Sequence, residues 1–554
     1  MENGEIKYLL SEERFTNIKN QGGFPQNALE YLQNQSEISL EDLDHIIIGG
    51  FDLPVYDWKT KNDIFHIIFS FFIKLFPRVL VSSNMLISPF LFMMAPKKKR
   101  LINQYCKDYN LNRSKIRQVE HHTAHAYSAL YGSGYTQENE PILIFTIDNS
   151  GDGVSSTVST WNNNSGFNRI HKNQSFNSLG ELYSKGTELL GMKPGEHEYK
   201  IMGMSPYVSD EYSENVFKIL LNNYFSLDRT GLKFINKASH GSSLLKRLRK
   251  NFTGYRFDNI CAGLQRHFEY VVIEWVKNWA KDTKIKKAVF AGGCFMNVKT
   301  NKLILELDIF DKIFFMPSCG DESISIGAAY KIFEEDEVYQ SPLNSLCKGQ
   351  SFSDRDVERT LEKYPDSLLI KKCNDIEREI VSKLIDYKIV GRFKGKEEFG
   401  ARALGNRSIL CRPDDLKIIH KLNKSIKMRD FWMPFAASII EEDMERYINN
   451  PKGIPAPYMT LAFETTNTAY EEIIAGLHPF DRTCRPHIVN KDWNPDYYRL
   501  IKIFKEKTGI GALLNTSFNL HGYPIVGTPD IAIQTFLNSR LNYIAIEDYL
   551  ISKK

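Results

Sequence analysis

A chain of 554 residues is too long for one compact core, so two or more domains are expected. Its composition is 42% hydrophobic, 25% charged and 12% aromatic, which excludes wholesale disorder. With 71 basic against 67 acidic residues, the net charge of +4 argues against a dedicated nucleic-acid binder and leaves room only for local basic pockets.

The N-terminal stretch MENGEIKYLLSEERF has no basic start followed by an apolar run, so it does not read as a secretory signal. Ile64 to Phe76 is apolar apart from His66, Ser70 and Lys74, and Pro77-Arg78 ends it. The run is shorter than the ~20 residues of a spanning helix, so a buried or amphipathic helix is expected and no integral membrane span. Lys97-Lys98-Lys99-Arg100 reads as a solvated loop, and the segment 59–100 as a specificity element for an acceptor.

From Leu40 to Glu335, short β-branched or aromatic runs alternate with helical stretches. HIIIGG, PILIFTID, KAVFAGG and KIFFMP each stop at a small, acidic or proline turn, as strands in an α/β layer with functional loops at their ends do. Ile260 to Lys281 predicts one amphipathic helix, with Leu264, Phe268, Val271, Val272 and Trp275 at helical spacing. Residues 341–365 are polar and turn-rich around a short helix and read as a linker. A second α/β pattern follows, so the expected domains are 1–340 and 366–554. Eight cysteines, at 106, 261, 294, 319, 347, 373, 411 and 484, form no C-x-x-C pair, which fits a reducing, cytoplasmic setting and no disulfide framework.

Chemistry concentrates in a few blocks. His121 and His125, four apart in EHHTAHAYSALYGSGY, share one face of a helix; a metal pair and an ordinary buried pair both fit, and His122 points elsewhere. Asp148 ends PILIFTID and opens a Gly-rich turn suited to a cation or phosphate, or to a plain acidic turn. Asp321, in PSCGDESISIGAAY, is placed to add a carboxylate ligand or to cap a helix. Gly292 and Gly293 end a third strand just ahead of Asn297, a turn that either admits a nucleotide or is merely tight. In the second domain, Arg402, Arg407, Lys427, Arg429 and Arg485 lie among glycines and aromatics, with Asn515, Ser517 and Asn519 as neutral donors. That density favours an anion pocket over structural ion pairs.

Together the blocks EHHTAHA, TIDNSGDG, SLGELYSKGTELLGMKPGEHEYKIMGMSPY, AGGCFMN, PSCGDESISIGAAY, FGARALGNRSIL, IKMRDFWMPFA and LLNTSFN followed by PIVGTPD closely resemble the O-carbamoyltransferases that modify nodulation factors, cephems and aminoglycosides. The resemblance implies a larger N-terminal actin-like ATPase-fold domain, similar to tRNA threonylcarbamoyl transferases. It also implies a smaller C-terminal α/β domain, similar to threonylcarbamoyl-adenylate synthases. Carbamoyl phosphate and ATP, with magnesium, would give a carbamoyl-adenylate in the smaller domain, and a hydroxyl-bearing small molecule or saccharide would take the carbamoyl group in the larger. By motif match His121, His125, Asp148 and Asp321 would hold a divalent metal, iron. Arg402, Lys427, Arg485 and Ser517 would surround carbamoyl phosphate and the adenylate, and Lys200 would lie near nucleotide or acceptor.

The chain departs from that pattern at several points. Relatives carry a strand and a glycine–histidine–aspartate turn before the segment matched by GEIKYLLSEERF, so the first strand is expected to be missing. Asn149, Met433, Ala437 and His487 stand where glycine, arginine, proline and glutamine are usual. A weakened nucleotide- and metal-binding accessory protein, or a threonylcarbamoyl transferase acting on tRNA, are the alternative readings. A homodimer is the default assembly.

Overall fold

The computed structural model describes residues 1–36, 38–51 and 102–554. The expected apolar helix at Ile64–Phe76, the basic run at Lys97–Arg100 and the 59–100 specificity element lie outside the described residues. By their contacts the residues form two compact units. One comprises Asn3–Glu5 and Gln33–Pro342; the other comprises Met1–Glu2, Ile6–Leu32 and Leu343–Lys554. Both are mixed α/β.

The first unit is built on a five-stranded sheet of order β5-β4-β3-β8-β9. Its strands are β3 (Ile142–Gly151), β4 (Val154–Asn162), β5 (Gly166–Gln174), β8 (Lys287–Ala291) and β9 (Lys312–Phe315). β3, β8 and β9 run parallel, while β4 is antiparallel to both of its neighbours. This is the strand arrangement expected of an actin-like ATPase domain. A parallel pair, β1 (Ile46–Gly49) with β2 (Ile116–Val119), and a hairpin of β6 (Phe225–Leu227) with β7 (Phe234–Asn236) complete its strands. The predicted amphipathic helix spans Phe257–Thr283, and Leu264, Phe268, Val271, Val272 and Trp275 are all buried. Trp275 meets Phe145 of β3 edge-on at 5.3 Å, which fastens this helix to the centre of the sheet.

The second unit holds an eight-stranded sheet of order β10-β17-β16-β11-β12-β15-β13-β14. Its strands are β10 (Leu368–Lys372), β11 (Val390–Phe393), β12 (Arg407–Cys411), β13 (Ala436–Ile440), β14 (His487–Val489), β15 (Ala512–Ser517), β16 (Tyr543–Ile546) and β17 (Tyr549–Lys553). Only β11–β16 and β13–β14 pair in parallel. Helices at Ile376–Ile385, Pro495–Thr508 and Pro529–Leu537 pack around it, and Leu514, Phe518, Ile533 and Phe536 lie in its main core.

Two features differ from the reading of 1–340 as one domain followed by a linker. Ile6–Leu32 groups with Leu343–Lys554 rather than with the sheet of the first unit. The physical reason is Arg14, in the short Glu12–Thr16 helix, whose side chain is only 2% exposed. Its guanidinium donates to Gly400 O at 2.6 Å and pairs with Glu397 at 3.0 Å. The backbone N–H of Leu9 donates to Lys348 O, and Tyr31 and Ser351 exchange hydrogen bonds. The 341–365 stretch is likewise knitted in: it carries a capped helix, Asp354–Leu361, and Gly349 N–H donates to Glu397 O.

Burial lifts the Glu397 carboxyl to about 7 even though the Arg14 and Arg407 guanidiniums pull it down. Removing Arg14 therefore leaves a buried acid with less compensation. Arg14→Met should cost about 3 kcal/mol in denaturant unfolding of this unit, by analogy with other broken buried pairs. Adding Glu397→Gln to Arg14→Met should restore most of that loss; a double variant no more stable than the single one would show that the pair is not what holds the segment.

Candidate functional site

In the first unit the helix His121–Gly132 begins directly after β2, with Glu120 as its N-cap accepting from Thr123 N–H. Arg169 on β5 donates to the same Glu120 carboxylate, which the guanidinium and Thr123 hold at about 2 against the opposing effect of burial. The cap fixes the first turn, so His121 and His125 present their rings side by side with centroids 4.7 Å apart. His122 points the other way. Its ring is hydrogen-bonded to Thr146 Oγ1 and Val154 O, and burial followed by the His125 and His121 charges drops it to about 3, so it is a neutral core group.

Asp148 comes from the irregular end of β3, where the register with β4 shifts between Ile147 and Gly151. Asp321 opens a short turn ahead of the Ile324–Glu335 helix. That helix lies against His121–Gly132 at backbone contact: a Cβ on Gly327 would stand 1.7 Å from Ala124 O. The glycine thus lets Asp321 reach both histidines. His121 Nε2 is 3.1 Å from Asp148 Oδ2 and 3.6 Å from Asp321 Oδ1, and His125 Nε2 is 3.6 Å from each carboxylate. One ligand atom from each of the four lies within 4.8 Å of all the others.

The electrostatics of the cluster are those of an acid–base cage. His125 is wholly buried and neither ring nitrogen has a hydrogen-bond partner. Burial disfavours its charge, but Asp148 and Asp321 outweigh burial and raise it to about 9. Burial opposes ionisation of Asp148 as well, and the two imidazoles nonetheless hold it well below the usual carboxylate range. Two imidazoles and two carboxylates suit a divalent first-row metal, and the partnerless His125 Nε2, which faces both carboxylates, is the donor such an ion would take up.

Gly151 sits against this cage, since a Cβ there would lie 2.1 Å from His121 Cγ. Gly151→Ala should therefore displace the ring and lower bound metal about tenfold or more, the scale of a disturbed ligand shell. Gly153, at φ +80° and facing open space, is the control: Gly153→Ala should cost about 1 kcal/mol of stability and keep metal content. Metal analysis of the two purified variants checks this.

The other residues expected near a nucleotide fall into two groups. Gly292 has φ +96°, and its Cβ would collide with Ile147 O at 2.3 Å, so β8 and β3 ends touch there. Gly293 opens a short 3-10 turn that intervenes before the helix, and a Cβ on it would meet Asp148 Oδ1 at 2.9 Å. Asn297 is the N-cap of Val298–Glu306 and exchanges two hydrogen bonds with Gln265, so its amide is committed to the framework. Lys200 is half-buried in the Glu198–Met204 helix. Sequence reading passed over Gly327 and Gly180; a Cβ on Gly180 would crowd Asp148 O at 3.0 Å. Glycine alone carries no signal for such close approaches.

The second unit gathers the cations around the end of β15. Arg485, just before β14, is buried, and Nε, Nη1 and Nη2 all lack a hydrogen-bond partner. Burial lowers its pKa; Asp481 raises it, and Arg402 is close enough to act as a second lowering charge. Lys427, also buried, donates to Ser517 O, to Ser517 Oγ at 3.0 Å and to Asn519 Oδ1 at 2.6 Å. Burial, and then Arg429, holds it well below the usual lysine range. Arg429 donates to Pro434 O and Thr516 Oγ1 and stacks on Phe435. Asn515 and Ser517, two apart on β15, share one face of the strand.

Arg407, another of the expected cations, is tied into the framework. It is fully buried in β12, donates to the carbonyls of Lys394, Asn406, Gln350 and Gly395, and lies over the Phe393 ring at 3.6 Å. Nη1 and Nη2 thus brace the turn between β11 and β12, the loop that carries Arg402, while Nε has no hydrogen-bond partner.

Residues 1–330 match the family model of the carbamoyltransferase N-terminus, and residues 381–553 match that of the carbamoyltransferase C-terminus. The chain belongs to the carbamoyltransferase family. The chain is 32% identical to an uncharacterized protein of Methanocaldococcus jannaschii, over 82% of this chain and 76% of that one. It is 28% identical to nodulation protein NolNO of Sinorhizobium fredii, over 100% of this chain and 78% of the relative. A solved structure of full-length HypF in the phosphate- and nucleotide-bound form resembles it more distantly, at 15% identity and a TM-score of 0.26, covering 43% of this chain and 50% of HypF. No helix among the described residues is long and apolar enough to cross a membrane.

Proposed function

We propose that this carbamoyltransferase makes a carbamoyl-adenylate from carbamoyl phosphate and ATP in its Leu343–Lys554 unit. The adenylate then donates the carbamoyl group to a hydroxyl of a saccharide-like or natural-product acceptor at the His121, His125, Asp148 and Asp321 cluster. The observation that carries the reading is Arg485. A buried guanidinium with no hydrogen-bond partner on any of its three nitrogens, offset only by the charge of Asp481 and opposed by that of Arg402, is stabilised when an anion arrives to bond it.

Carbamoyl phosphate is a small, labile dianion. Arg485 and Arg402 would take its phosphate oxygens, the bidentate geometry that guanidinium favours. Lys427, held by Ser517 and Asn519, would regain its charge as an anion comes near. Water cleaves carbamoyl phosphate to carbamate, phosphate and a proton. A carbamate oxygen then attacks the α-phosphorus of ATP, whose magnesium-bound pyrophosphate leaves. The acceptor hydroxyl attacks the carbamoyl carbon, AMP departs, and the hydroxyl proton is released.

In the first unit a bound divalent metal, iron by family resemblance, would supply Lewis-acid stabilisation of charge on a carbonyl or phosphate oxygen. The chain's own part is to hold His121 and His125 on one capped helical turn, to bring Asp321 over them through the Gly327 contact, and to keep Asp148 ionised. Gly292 and Gly293 let the end of β8 close on Ile147 and Asp148 of β3, and Lys200 would be a point charge for a nucleotide's phosphates.

The test is incubation of the purified protein with ATP and carbon-labelled carbamoyl phosphate. Pyrophosphate should appear with a labelled adenylate in mass spectra. No pyrophosphate with any divalent metal supplied would overturn the reading.

A further inference from the structure

Of the four residues in the metal-binding cluster, His121, His125 and Asp148 are packed into the interior, whereas Asp321 is not. Its side chain is 69% exposed, and among the described residues the two imidazoles are the only groups that bond its carboxylate. What places it is the chain behind it. The Asp321–Ser323 turn runs directly into the Ile324–Glu335 helix, with Ile324 N–H donating to Asp321 O. Asp321 therefore stands wherever that helix is set against His121–Gly132.

Packing alone sets that placement loosely. Midway along the helices the partners are Gly327, Ala328 and Ala124, small residues that permit close approach but present no ridge against sliding. At the far end the contact is directional. Tyr127 and Tyr131, one turn apart and buried, donate their hydroxyls to opposite oxygens of Glu334, Tyr127 to Oε2 at 2.5 Å and Tyr131 to Oε1 at 2.7 Å. Burial, and then the Glu334 charge, push both phenols up, so both remain donors. Lys331 adds a cation to the clasp, 3.4 Å from Glu334 Oε2 and over the Tyr127 ring at 5.2 Å. Two bonds from one helix to a single carboxylate of the other fix both slide and rotation, which small residues cannot do.

We propose that Glu334, clasped by Tyr127 and Tyr131, is the positioning residue that sets Asp321 over His121 and His125. The inference rests on the reading of the four-residue cluster as a metal site and deepens it. The two helices run in the same direction: Asp321 and His121 meet at their starts, Glu334 and Tyr131 at their ends. A slip along the pair therefore moves Asp321 by the same amount. Its Oδ1 is 3.6 Å from both Nε2 atoms, and metal–ligand distances hold to about 0.2 Å, so a slip of about 1 Å takes the carboxylate out of the shell.

The test is titration of the metal-stripped protein with cobalt(II), followed by calorimetry and by the visible absorption bands that report coordination geometry. The parent should bind cobalt. The Tyr127→Phe/Tyr131→Phe double variant keeps both rings and removes only the hydroxyls; it should bind about 10–100-fold more weakly and with altered bands, the scale of a lost outer-shell partner. Glu334→Ala should do the same, and Glu334→Gln, which keeps one acceptor, should recover part of the loss. In an Asp321→Ala background these changes should leave cobalt affinity where Asp321→Ala alone puts it, because the clasp acts through that ligand. A purely structural role lowers the unfolding temperature without moving cobalt affinity or bands in the folded variants, and that result overturns the inference while the metal site stands. An equal loss in the Asp321→Ala background overturns it as well. No cobalt binding by the parent overturns the metal site and the inference together.

Discussion

Arg485→Met lowers pyrophosphate release from ATP and carbamoyl phosphate by about 10²–10³-fold, the scale of removing one preorganised donor, and does not destabilise the protein. The two halves of this expectation have one cause. In the free protein no hydrogen bond pays the desolvation of Arg485, whose three guanidinium nitrogens are buried and partnerless, with Arg402 as a like-charged neighbour. Methionine fills similar volume without that penalty, so thermal unfolding should occur at the same temperature or higher. Most buried arginines behave oppositely, as Arg14 should. Pairing the initial-rate assay with calorimetric unfolding therefore separates an anion-binding arginine from a structural one. A variant that loses both activity and several degrees of stability would mean that Arg485 has partners in the free protein and that the pocket is a structural ion network.

His125→Ala and Asp148→Asn should each strip the first unit of its divalent metal and stop carbamoyl transfer to any acceptor, while pyrophosphate release continues within about threefold of the parent rate. His125 has no hydrogen-bond partner to lose. Its removal deletes a ligand and also takes from the buried Asp148 carboxylate one of the two imidazoles that keep it ionised, so unfolding is measured alongside metal content. Metal content by mass spectrometry should fall at least tenfold in both variants. His122→Ala is the contrasting case. It breaks bonds to Thr146 and Val154 inside the core, so it should cost about 1–3 kcal/mol of stability. If His125→Ala halts pyrophosphate release as completely as transfer, the two half-reactions do not belong to separate residue sets and the proposed division of labour fails.

Much of this was legible in the residues. Runs of β-branched and aromatic residues closed by an acidic, glycine or proline position announced an α/β layer, although β3 runs on past Asp148 to Gly151. The helical spacing of His121 and His125 put both rings on one face, and His122 was set aside by the same geometry. The density of cations among glycines pointed to an anion pocket, and the order of eight motifs pointed to the family whose two models now span most of the chain.

The sequence did not show how those cations divide. Arg407 and Arg485 look alike in one dimension, each set beside turn residues. Arg407 donates to three carbonyls of its own loop and to Gln350 O, whereas Arg485 finds no acceptor at all. Nor did proximity along the chain predict that Arg14 would fasten to Glu397 and Gly400.

Local pattern, spacing and residue type thus determined the strands, the helices, the metal-ligand candidates and the family by themselves. Tertiary structure alone decided which polar atoms are already satisfied. That depends on what lies across space, as with the carbonyls around Arg407, the backbone approach at Gly327 and the amide of Asn515 locked between Ala403 and Ser438. A buried donor or acceptor is functional when folding leaves it unpaired, and pairing is a property of the fold rather than of the string of residues.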